Sequence, residues 1–213
     1  MLSRIRNVSP VLVLLLALSC TAGCFSVRTA DTHNTTAALR DYNTWVSGQS
    51  VFDHQVRSTI VQIGSHITTY NTEIAKDHPD YSLLRANLAA DRQLLDQWGT
   101  GIDNLSASTD TFDQSTSSLM YENASKVKVR DDLALMTRYM KIYAIDMGNA
   151  RQHLVEYVDN AETYIQPDDP DYWNDNYRQH AMQAKDQALP AIADADAALG
   201  NLTAQARSLE QLQ

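Results

Sequence analysis

The chain has 213 residues, 26 acidic and 17 basic, with a formal charge of −9. The 44% hydrophobic content suits a folded protein, and 7 Gly and 5 Pro are too few for a fibrous or low-complexity chain. The acidic balance argues against nucleic acid as a partner, because a phosphate backbone demands a Lys/Arg surface. The 2 Cys cannot support a disulfide scaffold. The length suits one good-sized domain or two small ones.

Arg4 and Arg6 form a basic start, Val11 to Leu18 is an unbroken apolar run, and Ser19-Cys20-Thr21-Ala22-Gly23-Cys24 is small and polar. That order is the order of a secretory signal peptide. The apolar run falls short of the ~20 residues needed to span a bilayer, and nothing later approaches that length. Ala22-Gly23-Cys24 resembles the end of the lipobox of prokaryotic lipoproteins, with Thr21 standing where the family usually has Leu. The resemblance implies removal of residues 1–23, a lipid on Cys24, and a chain held on the outer face of a prokaryotic membrane or envelope. Cys20, after Leu18-Ser19, is a second candidate that crowds the apolar core. Cleavage before Cys24 would deepen the charge to −11, because only Arg4 and Arg6 leave. Residues 24–33 read as a polar tether.

Heptad spacing follows, over a domain placed at 34–213. Val56, Ile60, Ile63, Ile67, Tyr70 and Ile74 recur in steps of 4 and 3, and Trp45 and Phe52 extend the stripe backwards. A mean step of 3.5 keeps one helix face on a partner. The second stripe is Leu84, Leu88, Leu95, Trp98, Ile102, Leu105, Phe112 and Leu119, with Asp91, Thr109 and Thr116 between them. Its register runs straight through Gly99 and Gly101, and the Ser/Thr-rich run from Ser106 to Ser118 predicts fraying. The third stripe runs from Leu133 through Met136, Met140, Tyr143, Met147, Ala150, Leu154, Tyr157 and Ala161 to Tyr164. The fourth is an alanine seam, Ala181, Ala184, Ala188, Ala191, Ala195 and Ala198, closed by Leu202. Small residues predict that this helix packs most tightly. Stripes of Met, Tyr and Ala at heptad spacing read as core rather than as a cofactor cradle.

Three breaks divide the stripes: Asp77 to Tyr81, the vicinity of Glu122-Asn123-Ala124-Ser125, and Gln166 to Tyr172. The expected fold is all-α, an elongated antiparallel up-down-up-down four-helix bundle or coiled coil. Two hairpins end to end, or a dimer completing the core, are the alternatives. The first and third breaks share the pattern Asp-x-Pro-Asp-Tyr, 91 residues apart. Shared turn chemistry explains this as well as duplication of a helical hairpin does.

In such a bundle the first and third breaks meet at the end away from the anchor. That tip gathers Asp77, Asp80, Tyr81, Asp168, Asp169, Asp171, Tyr172, Trp173 and Asp175. An acidic, aromatic end suits a cation, a basic partner or a glycan. The segment from Asp169 to Asn176 lacks the Gly and closing Glu of an EF-hand loop. The competing reading is that the acids cap helix N-termini while the aromatics plug the bundle. Asp91 in a stripe needs either a buried partner, with His66, His153, Arg92 and Arg138 available, or a local opening to water. The opening is the expectation.

No two of the six His stand at i, i+4, and no Glu-x-x-His or Cys-x-x-Cys-His occurs, so no metal or cofactor is expected. No phosphate-binding Gly loop, His-Glu-x-x-His or Gly-x-Ser-x-Gly marks catalysis. Asn34, Asn104, Asn123 and Asn201 are glycosylation acceptors if the host modifies exported proteins. The expected role is non-catalytic: a lipid-anchored surface bundle that binds, spaces or scaffolds, with self-association open. The alternative is a ligand-sensing or accessory subunit of an envelope transporter or receptor. Four-helix extracytoplasmic sensor modules are similar in architecture, but this chain lacks their second membrane helix and would need a membrane partner.

Overall fold

The computed structural model describes residues 29–118 and 124–210. They form four long helices: α1 (Thr29–Glu73), α2 (Tyr81–Ser117), α3 (Ala124–Ile165) and α4 (Asp175–Glu210). A 3-10 turn, Pro170–Tyr172, precedes α4, and no strand occurs among the described residues. At 1.5 Å per residue the 45 residues of α1 extend about 68 Å. No helix among the described residues is long and apolar enough to cross a membrane.

Side-chain pairs give the directions of the helices. Along α1, Tyr42 meets Phe112, Trp45 meets Thr109, Phe52 meets Trp98 and His66 meets Asp91, so rising numbers on α1 face falling numbers on α2. Between α2 and α3, Asp113 pairs with Lys141, Asp96 with Arg151 and Arg92 with Asp159, again antiparallel. Gln49 bonds to Tyr143 and Tyr70 to Ala161, so α1 and α3 run parallel. Tyr164 packs on Trp173 at the head of α4, while Asp146 and Asp194 influence each other farther along. The bundle is therefore up-down-up-down.

The heptad stripes are the core. Trp45, Phe52, Val56, Ile63 and Tyr70 are buried on α1, and Leu84, Leu88, Leu95, Trp98, Leu105 and Phe112 on α2. On α3 the run from Met136 to Tyr164 is buried, and on α4 Ala181, Ala184, Ala188, Ala195, Ala198 and Leu202. Helices α3 and α4 have the most extensive close approach, because alanine lets backbones come together. Aromatic rings instead fill the space between α1, α2 and α3. Tyr143 stands edge-on to Trp45 (6.0 Å, 73°) and to Phe52 (6.3 Å, 83°), and Phe52 edge-on to Trp98 (6.3 Å, 74°). Edge-to-face geometry at these distances adds to the burial each ring already contributes.

Several expectations are corrected. Helix α1 opens at Thr29, so 29–33 of the expected tether are helical; from there no Gly or Pro interrupts the helix before Gly48. Residues 1–28, including Cys20 and Cys24, lie outside the described residues. The Ser/Thr-rich half of α2 stays helical to Ser117, because its hydroxyls bond to carbonyls on the preceding turn. Ser108, Thr109 and Thr111 donate to Asn104, Leu105 and Ala107. Ser115, Ser117 and Ser118 bond three residues back, and the helix ends in that cluster, where hydroxyls compete with the backbone ladder. Of the second expected break, Ala124 and Ser125 are helical and belong to α3, while Leu119, Glu122 and Asn123 lie outside the described residues.

Candidate functional site

The two Asp-x-Pro-Asp-Tyr corners meet at one end of the bundle. Tyr81 from the first corner stacks edge-on with Trp173 from the second (6.2 Å, 78°), and Trp173 leans on Tyr164 at 4.8 Å. Arg85, one turn into α2, forms an ion pair with Asp168. Burial raises the Tyr81 phenol above its ordinary range, reinforced by Asp168 and Asp169.

The shared motif is used differently at its two sites. In the first corner Asp80 is the N-cap of α2, its carboxylate accepting from the Leu83 N–H at 2.9 Å, and Tyr81 is the first helical residue. The Asp80 N–H in turn donates to Glu73 at 3.1 Å, and Lys76 holds the same carboxylate. Those two donors keep Glu73 below the usual carboxylate range. In the second corner Asp168, three residues beyond the end of α3, adopts a left-handed conformation (φ 53°), which Asp tolerates better than most residues. Asp169 accepts from the Asp171 N–H at 3.0 Å and opens the 3-10 turn. Helix α4 starts only after Asn174, which accepts from the Asn176 N–H at 3.0 Å. Neither proline lies in the first turn of a long helix: Pro79 precedes the cap of α2, and Pro170 begins the 3-10 turn.

The tip acids fall into two groups. Asp80 and Asp169 are engaged with backbone N–H groups and Asp168 with Arg85. Asp77, Asp171 and Asp175 are exposed, as is Tyr172 at 74%. Trp173 is half-buried as part of the plug, whereas Tyr172 is the ring displayed to solvent. A double Asp171→Ala, Tyr172→Ala variant should keep its unfolding free energy within about 0.5 kcal/mol of wild type by urea denaturation, since neither side chain is packed. No cluster of three or more His, Cys, Asp or Glu among the described residues is arranged to hold a metal ion. Comparison with protein-family models, curated proteins and solved structures finds no match.

The other candidate positions are scattered. Asn104 and Asn201 are exposed on α2 and α4, Asn34 lies in α1, and Asn123 is outside the described residues. A shallow, solvent-open hollow on α1 is lined by His54, Arg57, Ser58, Val61, Gln62 and Ser65.

Asp91 corrects the expectation of a local opening to water. It has no exposed surface, and His66 Nδ1 lies 2.5 Å from its Oδ1. Three further polar bridges cross the core without any local sequence signal. Trp45 Nε1 donates to Thr109 Oγ1 at 2.9 Å, Gln49 Nε2 to the Tyr143 hydroxyl at 3.4 Å, and the Tyr70 hydroxyl to the Ala161 carbonyl at 3.3 Å. Burial pushes the phenols of Tyr70, Tyr143 and Tyr157 well above their ordinary range, so they stay neutral at physiological pH.

Proposed function

We propose that the chain is a lipid-anchored helical rod on the outer face of a prokaryotic cell envelope. It presents an acidic, aromatic end to a partner and does no chemistry itself. The observation that carries this is the meeting of the Asp80-Tyr81 and Asp168-Trp173 corners at the end opposite the start of α1. A lipid on Cys24 would hold one end of such a rod, leaving the tip some tens of ångströms out. Exposed Asp77, Asp171, Asp175 and Tyr172 are the groups a basic or cationic partner would meet first. The leader supports the anchor by its order of charge, apolar run and Ala22-Gly23-Cys24. Spacing and binding suit a bundle whose stripes are consumed by its own packing.

Mass spectrometry of the native N-terminus tests the anchor. The expected result is a mature chain that begins at a lipid-modified Cys24, and a Cys24→Ser variant that leaves the membrane fraction. A chain that retains Met1, or an unmodified Cys24, would remove the anchor and with it the outward-facing tip. Recovery of a stoichiometric integral-membrane protein with the native chain would shift the role to a sensing or accessory subunit of an envelope transporter or receptor.

A further inference from the structure

We propose that the His66–Asp91 pair is a proton-operated latch between α1 and α2, closed in mild acid and loosened when its one shared proton is lost. The geometry is that of a buried carboxylate with a single bond. His66 Nδ1 sits 2.5 Å from Asp91 Oδ1, while Asp91 Oδ2 is buried with no hydrogen-bond partner. Asp91 has no exposed surface, but the His66 side chain is 18% exposed and gives protons a route to solvent.

The surroundings leave the pair to balance its own charge. From α1, Tyr70 also reaches the core, but its hydroxyl donates to the Ala161 carbonyl. From α3 comes Tyr157, fully buried, its hydroxyl likewise without a partner and its phenol influenced by Asp91. The buried seam of α4, Ala181, Ala184 and Ala188, carries no titratable group. On α2 itself, Arg92 is engaged at the surface by Asp159 and Glu162.

Stability alone does not account for the pair. A Leu at position 91 would continue the stripe, and buried ion pairs are seldom better than the apolar groups that replace them. What the pair adds is dependence on protons. Without a shared proton, a buried carboxylate is left with one neutral N–H and one bare oxygen, which the low-dielectric core disfavours. Burial holds Asp91 above the ordinary carboxylate range, with His66 opposing. A group so shifted binds more protons in the folded chain than in the unfolded one. Its stabilisation is complete below the ordinary carboxylate value of ~4 and is lost as pH rises through the raised value.

The test compares urea unfolding of the full chain and of Asp91→Asn from pH 4.5 to 8.5. The folded-to-unfolded ratio of wild type, relative to the variant, should fall with rising pH by up to about tenfold per pH unit over part of that range. Asp146 and Asp196, raised by burial and a neighbouring Asp, and Glu73, lowered by Lys76, titrate in both proteins and cancel. Parallel profiles would overturn the latch and leave the pair as a pin for helix register. If Asp91→Asn does not fold, side-chain carboxyl NMR of wild type decides. A midpoint for Asp91 above the exposed carboxylates supports the latch, and one among them overturns it.

Discussion

Replacing Trp45 by Ala is expected to cost about 3–5 kcal/mol of unfolding free energy, the range for deleting a large buried ring. The side chain is 1% exposed and lies edge-on to Tyr143. Its indole N–H is the donor that ties α1 to α2 through Thr109. The truncation removes apolar burial, a ring contact and a cross-helix hydrogen bond together, and the rigid helices around it cannot collapse into the space. For a domain whose total stability is on the order of 5–15 kcal/mol, this is a large fraction. Thr109→Val separates the parts: it keeps the ring but strips its N–H of a buried acceptor, at about 1–3 kcal/mol. Val61→Ala, at a side chain 72% exposed, should stay within about 0.5 kcal/mol. Urea denaturation followed by circular dichroism measures all three. A Trp45→Ala loss below about 1 kcal/mol would mean that the first half of α1 does not pack as described.

The second large effect is expected at Gly101, where helix propensity alone gives the wrong sign. Gly→Ala within a helix ordinarily stabilises by about 1 kcal/mol. At Gly101 an added Cβ would fall on the Phe52 ring, inside contact distance of Cδ2 and Cε2. The ring has little freedom to retreat, because Trp98 and Tyr143 both stand edge-on to it. Overpacking of about 1–3 kcal/mol therefore outweighs the propensity gain, and Gly101→Ala should lower the melting temperature. Gly64→Ala and Gly148→Ala are the controls: nothing lies within 4 Å of either added methyl, so both should raise it. Combining Gly101→Ala with Phe52→Leu should recover part of the loss, as a double-mutant cycle would register. A Gly101→Ala protein as stable as the Gly64→Ala one would show that Phe52 does not lie on that glycine.

Gly99 is constrained in a related way. Arg151 crosses it from α3, its Nε donating to the Leu95 carbonyl at 2.6 Å and its guanidinium also reaching Asp96. The pair of glycines that weakens α2 by propensity is thus where side chains from two neighbouring helices, Phe52 of α1 and Arg151 of α3, lie against its backbone. From the sequence the same two residues read only as a soft spot.

The stripes were legible because a heptad pattern is local. Each apolar residue announces its face through neighbours three and four positions away, so the four helices, their buried sides and the tight alanine seam follow from one strand of text. The acidic corners were legible for the same reason, as short runs of turn-forming residues. Their meeting also follows once short connections make the helices alternate in direction.

Partner choice across the core was not legible. His66 meets Asp91 across 25 positions, Trp45 meets Thr109 across 64 and Gln49 meets Tyr143 across 94. No window of sequence contains both halves of such a pair. Asp91 had several eligible partners, and only the rotation and axial shift of α1 against α2 selected His66. The division of the tip acids into those engaged with backbone or Arg85 and those left in solvent was likewise decided by the fold. It depends on where each helix actually starts, and the same five-residue pattern starts α2 at once but delays α4 by a 3-10 turn. Periodicity determined which faces are buried; side-chain shape, acting between helices far apart in the chain, decided what each face touches.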